Sequence, residues 1–314
     1  MKAIVTEKYG GVEVLSLQEV KKPVIKDDEI LVHVHACSVN PIDWKIRRGN
    51  LRILTGIKPP KILGRDYAGI VDEVGSRVTK YKTGDAVWGV VGSLKRGTYA
   101  EFVGVKEGEV GPKPENLNFE EASSIPMVGS AAYQALLYSG RLKKGDHILI
   151  NGCSGGVGIA ALQIAKALEC KVTGVCSTNN LQLIKKMGAD EVIDYTKQDV
   201  LKNEGIYDIF FDTVGNKSFF QAKGTLKPGG IYVSTVPSPQ SMVLGPLINI
   251  FSAKKIKNLF SKANAKDLSI LREMVENGKL VPLIEKVYPL DRVQEAHTRS
   301  ETGRVVGKLV LKVV

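Results

Sequence analysis

Apolar positions along this chain change their rhythm once. Over about the first 120 residues they fall in short runs, "AIVTEKY", "EILVHVHAC", "AGIVDEVG", "DAVWGVV" and "TYAEFVGV", punctuated by Gly, Pro and Asp. Such runs predict short strands joined by tight turns, with little helical periodicity among them. From about Asn118 the rhythm lengthens. "NFEEASSIP" reads as a capped helix start, Asn118 standing ahead of Glu120 and Glu121. "HILIN" then predicts a buried strand, Gly156–Glu169 a helix, "KVTGVC" a strand and "NLQLIKKMG" a helix; "EVIDY", "YDIFFDTV" and "GIYVSTV" are further apolar strands. Apolar strands alternating with amphipathic helices imply an α/β fold, with a parallel sheet covered on both faces. The tail, from "DLSILREMVENG" to "GKLVLKV", is mixed, and no internal repeat is visible.

The most informative segment is "ILINGCSGGVGIAALQIAKA". A buried strand, Ile148–Asn151, runs into Gly152, Gly155, Gly156 and Gly158 and then into an apolar-faced helix. Glycine lets the backbone turn sharply and approach a pyrophosphate, and the helix start offers that anion unpaired N–H groups and a positive dipole end. The usual pattern is GxGxxG; here Cys153 replaces the first glycine ahead of Gly155 and Gly158. A dinucleotide is the expected ligand. NAD sites place an acid near the end of the second strand, on the ribose 2′-hydroxyl. That strand ends at Cys176, followed by Ser177, Thr178, Asn179 and Asn180, with no acid. Small polar donors there favour the 2′-phosphate of NADPH over NADH, with Lys185 and Lys186 adding positive potential.

Composition adjusts this picture only slightly. The chain has 314 residues, 43% of them apolar and 25% charged, enough for one large or two ordinary domains of a globular protein. No apolar run reaches the ~18–20 residues of a membrane span. No secretory signal follows Met1, so a cytoplasmic location is expected. Cys37, Cys153, Cys170 and Cys176 form no CxxC pair and read as reduced thiols. The net charge of +11 includes one cluster, Lys254, Lys255, Lys257, Lys262 and Lys266. A solvated face that also attracts an anionic cofactor accounts for it, with an acidic surface, RNA or a peripheral membrane contact as alternatives. No nucleic-acid-binding signature is present, and nucleic acid is not the expected partner.

"LVHVHACSVNPIDWK" places His33, His35 and Cys37 within five positions. On a strand these alternate residues share one face. The first and third would lie ~13 Å apart along it, too far for donors that must all sit ~2.0–2.3 Å from one metal ion. The expectation is two partly exposed histidines beside a packed cysteine, and no metal site.

Across its whole length the chain resembles the zinc-independent medium-chain dehydrogenases/reductases of the quinone oxidoreductase (zeta-crystallin-like) type. The matching pieces are "SVNPIDWKIRRG", "LGRDYAGIVDEVGSRVTKYKTGDAVWG", "GTYAEFV", "SGGVGIAALQIAKA" and "MGADEVIDY". "NPxDxK" and the lysine-rich tail are especially similar to the alkenal/enone reductases and the chloroplast-envelope quinone oxidoreductase homologue. The resemblance implies a GroES-like β-rich catalytic domain over 1–121 and 263–314, a Rossmann NADPH-binding domain over 122–262, and an active site in the cleft between them. It implies a homodimer pairing the edge strands of two Rossmann domains. It also bears on metal: where zinc-dependent relatives have their catalytic ligands, this chain has Asn40, Arg65 and, roughly, Met127, and the lobe for structural zinc is missing.

Without a metal to polarise a ketone, hydride transfer to electron-poor acceptors remains, namely quinones and conjugated enones. Lys45 and Asn40 are the candidates near that chemistry, Lys45 resembling a residue that contacts the nicotinamide ribose and the substrate region. Asp43 reads as an orienting or capping residue. Matching positions imply pyrophosphate contacts at Ser154, Gly155, Gly156 and Val157. They imply 2′-phosphate contacts at Ser177 and Asn180, beside Thr178. Tyr195 would lie near the adenosine phosphate. Thr213, Val214, Thr235 and Val236 would line the nicotinamide end, with Arg304 and Lys308 as further cofactor contacts. Asn180 stands where several quinone reductases have a Lys, and Ala131 where a Thr is common. An NADPH-binding scaffold with little turnover and an alcohol dehydrogenase with a non-standard metal site are the alternative readings.

Overall fold

The computed structural model describes residues 1–314. Its contacts divide the chain into two units, Met1–Met127 with Lys262–Gly278 and Pro282–Val314, and Val128–Ser261 with Lys279–Val281. The boundary expected after residue 121 falls after Met127, whose N–H donates to Asp66 Oδ1 at 2.6 Å and ties it to the first unit. The short return of 279–281 to the second unit is fixed by Val281 N–H donating to Gln163 Oε1 at 2.9 Å.

The first unit opens with β1 (Lys2–Thr6) and β2 (Leu15–Glu19), an antiparallel pair. Then come β3 (Glu29–Val39), helices α1 (Pro41–Arg47) and α2 (Arg52–Thr55), β4 (Asp66–Val74), β5 (Ala86–Val90), β6 (Phe102–Lys106) and β7 (Val110–Pro112). α3 (Phe119–Ser123) starts with the reciprocal capping box that Asn118 and Glu121 form, satisfying two N–H groups that a helix start leaves unpaired. α4 (Pro126–Tyr133) follows.

The second unit alternates as its pattern predicts: β8 (His147–Asn151), α5 (Gly156–Ala167), β9 (Lys171–Cys176), α6 (Leu181–Lys186), β10 (Glu191–Asp194), β11 (Tyr207–Asp212), α7 (Phe219–Ala222), β12 (Leu226–Ser234), α8 (Pro239–Phe251) and β13 (Lys255–Asn258). All six strands are parallel, in the order β10-β9-β8-β11-β12-β13. This is the doubly wound order whose direction of winding reverses beside β8. All five residues of β8 are buried, as a strand covered on both faces requires. α5 ends two residues short of the predicted Glu169, which adopts a left-handed φ of 57°. Lys185 and Lys186 occupy the exposed last turn of α6, one short helix beyond the 177–180 turn.

The chain returns to the first unit through α9 (Ala265–Glu276), β14 (Ile284–Pro289), α10 (Val293–Glu301) and β15 (Lys308–Lys312). Its main sheet runs β14-β15-β3-β4-β5-β7, with β6 also on β3. β3 corrects the expectation that His33, His35 and Cys37 share a face. Its pairing with β4 shifts register between Val34 and Ala36. The irregularity reverses the alternation, so Cys37 and Val39 join Val32 and Val34 in the core. The histidines stay on the other face, His33 stacked on Phe102 and His35 on Phe119.

Candidate functional site

The second unit forms a cradle at the C-terminal end of β8. Gly152 turns the chain with φ 81°, and a Cβ there would lie 2.5 Å from Val214 and 2.6 Å from Thr213 Oγ1. A Cβ on Gly158 would lie 2.3 Å from the Gly152 carbonyl and 2.7 Å from Cys153 Cα. Both contacts are closer than side chains tolerate, so glycine is what lets the α5 start sit against the strand. Gly155 is the N-cap of α5 and gives no side-chain cap, and the first turn carries no acid. The N–H groups of Gly156 and Val157, and the positive end of a twelve-residue helix, are left for an outside anion. Cys153 takes the place of the motif's first glycine without filling the cradle. Its buried sulfur points toward Gly174 of β9, where an added Cβ would come within 3.0 Å of it. Burial pushes its thiol well above the ordinary range, so it packs rather than reacts.

The turn after β9 adds polar groups beside that cradle. Asn180 Nδ2 donates to Ser154 Oγ at 3.1 Å and to Ser177 Oγ at 3.4 Å, which gathers three of the expected residues into one cluster. Thr178 differs. Its hydroxyl donates to Asp194 Oδ2 at 2.5 Å, turning it away from the role expected of it as a cofactor contact. Asp194 itself was not anticipated, because it comes from the next strand, where it pairs in register with Cys176. Its carboxylate also accepts from the Thr196 N–H and hydroxyl, and with Thr178 these bonds hold it below the usual range. Tyr195 is half-exposed, its N–H donating to the Cys176 carbonyl.

Thr213, Val214, Thr235 and Val236 are brought together by a residue the sequence reading passed over. Asp212, fully buried at the end of β11, accepts at Oδ1 from Asn151 Nδ2, Val214 N–H and Gly215 N–H at 2.9–3.0 Å, and at Oδ2 from the Tyr232 hydroxyl. Its carbonyl accepts from Thr235 N–H, and Thr213 Oγ1 donates to the Asn151 carbonyl. One carboxylate thus fixes the ends of β8, β11 and β12. The acid closing the buried run "YDIFFD" was the available signal.

In the first unit, Asn40 and Asp43 open α1. Asp43 Oδ2 reaches back to accept the Asn40 N–H at 2.8 Å. Asn40 Nδ2 donates to Asp66 Oδ2 at 2.7 Å, and Asn40 Oδ1 accepts from the Lys308 ammonium at 2.6 Å. Lys308 is buried; it also donates to the Val39 carbonyl and lies 3.5 Å from Asp66. Its expected role as a cofactor contact is therefore corrected, since β15 pairs with β3 and turns the ammonium inward onto Asn40. Burial lowers the Lys308 pKa, and Asp66 and Asp43 oppose that. Asp43 is raised by burial to about 6, although it also accepts from the Tyr99 hydroxyl at 3.0 Å. His297 Nε2 lies 3.2 Å from that hydroxyl and is pushed down to about 3, by burial and then by the Arg47 charge. Lys45 is half-buried, with its ammonium 5.7 Å from the centre of the Trp44 ring, and Arg304 is exposed.

A parallel sheet in this order, carrying a glycine cradle at its reversal point, defines a dinucleotide-binding fold. Residues 26–115 match the alcohol dehydrogenase GroES-like domain and residues 187–311 the zinc-binding dehydrogenase domain. Over all of this chain and 89% of the relative, the chain is 37% identical to the NAD(P)H oxidoreductase RTN4IP1, mitochondrial, of Bos taurus. It is 35% identical to a quinone oxidoreductase of Sus scrofa, over 98% of this chain and 97% of that one. It is 34% identical to a 2-methylene-furan-3-one reductase of Solanum lycopersicum, over 99% and 79%. Among solved structures, the quinone oxidoreductase from Coxiella burnetii superposes with a TM-score of 0.91 at 33% identity, covering 100% and 99% of the two chains. The Escherichia coli quinone oxidoreductase complexed with NADPH gives 0.87 at 26%, covering both chains fully. The chain belongs to the medium-chain dehydrogenase/reductase family, in its quinone oxidoreductase branch, and it is an oxidoreductase that uses a nicotinamide cofactor.

The cradle fits such a cofactor: it excludes side chains where a pyrophosphate would lie and presents N–H groups to it. The first unit does not fit a zinc ion at Asn40, Arg65 and Met127. These offer a carboxamide, a guanidinium and a thioether, and the Lys308 ammonium already holds the carboxamide oxygen.

Proposed function

We propose that this chain is an NADPH-dependent, zinc-independent reductase of quinones or of the C=C bond of α,β-unsaturated carbonyls. When bound, the reduced nicotinamide supplies a hydride. The observation that carries the reading is the glycine cradle with the Ser154–Ser177–Asn180 cluster beside it. The N–H groups of Gly156 and Val157 bind the pyrophosphate, which passes over Gly155. Ser154, Ser177 and Asn180 bind the 2′-phosphate, which the turn meets with hydroxyls and a carboxamide rather than a carboxylate. Asn40 is oriented by its two partners. With its oxygen held by Lys308 and one N–H given to Asp66, its other N–H remains for the oxygen on which charge develops in the acceptor. Lys45, whose ammonium lies 5.7 Å from the centre of the Trp44 ring, is the first unit's other candidate beside Asn40. The acceptor classes are supported by the relatives named for quinone and methylene-furanone reduction.

The test is oxidation of NADPH and NADH in parallel against an ortho-quinone, a para-quinone, a linear alkenal, a cyclic enone and a simple ketone. The expected result is turnover of quinones or enones with NADPH preferred, and none of the ketone. Tight NADPH binding without turnover on any acceptor would replace the reading with that of a binding protein. Asn180→Asp, which sets a carboxylate against the 2′-phosphate, is expected to weaken NADPH by about tenfold or more while leaving NADH within about threefold. Equal losses for both cofactors would remove the 2′-phosphate from that turn.

A further inference from the structure

Positive charge and exposed apolar surface coincide at one place in the first unit. From Trp44 to Arg65 there is no Asp or Glu, and there are seven Lys and Arg residues. Inside that stretch lie α2 and the turn that follows it, "RILTGIK" (52–58). Ile53, Leu54 and Ile57 stand 101%, 67% and 95% exposed there. Single apolar residues are ordinary on a surface, whereas three within five positions form a patch that marks a contact. The polar atoms of the turn are used at its base. The Tyr9 hydroxyl lies 2.7 Å from Thr55 Oγ1 and donates to the Gly56 carbonyl at 2.8 Å, while Thr55 Oγ1 donates to the Leu51 carbonyl at 3.1 Å. The Arg52 guanidinium lies 4.7 Å from the centre of the Tyr9 ring. Gly49, with φ 80°, turns the chain out of α1, and the Gly49 and Asn50 N–H groups donate to the Ile46 and Lys45 carbonyls, both at 2.9 Å. A fixed base thus holds an apolar tip out in water.

Cations flank that tip. Arg52 and Lys58 bracket the three aliphatic side chains and Lys61 follows, all of them exposed. Glu301, which α10 brings to the end of α1, is taken up by Arg47 and Arg48. β1 ends beside Lys61, where the Thr6 N–H donates to the Lys61 carbonyl at 2.8 Å, and the two exposed residues after it, Glu7 and Lys8, offset each other. Arg52, Lys58 and Lys61 are therefore the uncompensated charges around the turn.

We infer that the 52–58 turn is a wedge that docks the first unit on an anionic lipid bilayer. Ile53, Leu54 and Ile57 enter the headgroup–acyl boundary, and Arg52, Lys58 and Lys61 meet the anionic headgroups. The contact is shallow, since α2 is four residues long and no helix is long and apolar enough to cross a membrane. Exposure, area and charge select this occupant. Ile53 and Ile57, exposed almost completely, wall no pocket for a small apolar molecule. Three aliphatic side chains fall well short of the ~800 Å² per partner of a standard protein interface. A second copy on a two-fold axis would set like charges against each other. A nucleic acid would use the cations and leave the apolar tip in water. The turn belongs to the first unit, so the edge-strand pairing of two Rossmann domains that the resemblance implies uses none of its residues.

The test is flotation of the full chain with vesicles of phosphatidylcholine alone or with one-third phosphatidylserine. Binding is expected on the anionic vesicles and not the neutral ones, weakening by about tenfold or more as salt rises from about 0.05 to about 0.5 M. Lys58→Gln with Lys61→Gln is expected to weaken it by about 25-fold, at about fivefold per lysine. Ile53→Ser with Ile57→Ser is expected to weaken it by about tenfold or more, with the melting temperature unchanged because both side chains lie outside the core. Ile53→Trp places an indole at the tip, and its emission is expected to shift to the blue on the anionic vesicles, where Trp settles at the interface. The inference is overturned by absence of vesicle binding at low salt, by binding that survives the two serines, or by an indole whose emission stays unchanged while the chain floats. A concentration-dependent dimer in sedimentation that Ile53→Ser dissolves would also overturn it, as would tighter binding to single-stranded RNA untouched by the serines. None of these outcomes depends on which acceptor the chain reduces.

Discussion

Tyr99 stands between two buried groups that titrate in opposite senses. Its hydroxyl donates to Asp43 Oδ2, so its oxygen accepts from His297 Nε2–H, and the bare Nδ1 of that ring is buried without a partner. Asp43, at about 6 against an ordinary 3.8, binds its proton more tightly in the folded chain. Its contribution is full below about pH 4 and is lost as pH rises through 6. His297, at about 3 against 6.5, binds its proton less tightly when folded. That contribution is full above about pH 6.5 and is lost as pH falls toward 3. Moving from about pH 7 to about pH 5 therefore costs about 2 kcal/mol through His297 and returns about 1 kcal/mol through Asp43. Urea unfolding of single variants separates the two. Relative to the unsubstituted chain, His297→Gln is expected to gain about 2 kcal/mol on that acidification and Asp43→Asn to lose about 1 kcal/mol. Curves that stay parallel at both pH values would remove both residues from the acid response. Neither residue shows this in the sequence, because burial, the first cause of both shifts, and the Tyr99, Arg65 and Lys308 groups that face Asp43 and the Arg47 charge that faces His297 come from the tertiary packing.

At the scale of elements, β8, its glycine turn and α5 were legible because each rule there is local. An apolar run predicts the strand, the glycines the turn, and 3.6-residue periodicity the helix. The turn also separates two uses of glycine. Gly158→Ala presses a methyl group onto the Gly152 carbonyl, and is expected to cost about 1–3 kcal/mol in urea unfolding as well as NADPH affinity. Gly155→Ala meets only an ordinary contact of 3.5 Å with that carbonyl, so stability stays within about 0.5 kcal/mol while NADPH binding weakens. Equal destabilisation by both would mean that the turn is shaped by the fold and not by an anion. β3 shows where local rules stop. "LVHVHACSV" reads as unbroken alternation, and the irregularity that moves Cys37 to the core lies in its pairing with β4. Thr178 was misread for a related reason, since the acid that claims its hydroxyl belongs to a neighbouring strand.

For the molecule as a whole, the pieces of the first unit that follow the dinucleotide-binding sheet change what the earlier pieces mean. Lys308 reads as an exposed cofactor contact until β15 pairs with β3, after which it is the buried cation that holds Asn40 beside Asp66. A fixed ammonium then holds the carboxamide oxygen of Asn40, one of the positions that the resemblance sets against a zinc ligand, and the folded chain is expected to draw no stability from metal. Its stability should respond to the dinucleotide instead. At about one hundred times its dissociation constant, NADPH is expected to add about 2.7 kcal/mol. Dialysis against EDTA is expected to leave both the melting temperature and NADPH oxidation unchanged. Near-stoichiometric zinc in the purified chain, with a melting temperature that falls on chelation, would mean that Lys308 yields its place to a metal and that the acceptor is activated by a Lewis acid rather than by Asn40. A rise with NADPH and indifference to the chelator would leave the carboxamide of Asn40, set by Lys308 and Asp66, as the group that meets the developing charge.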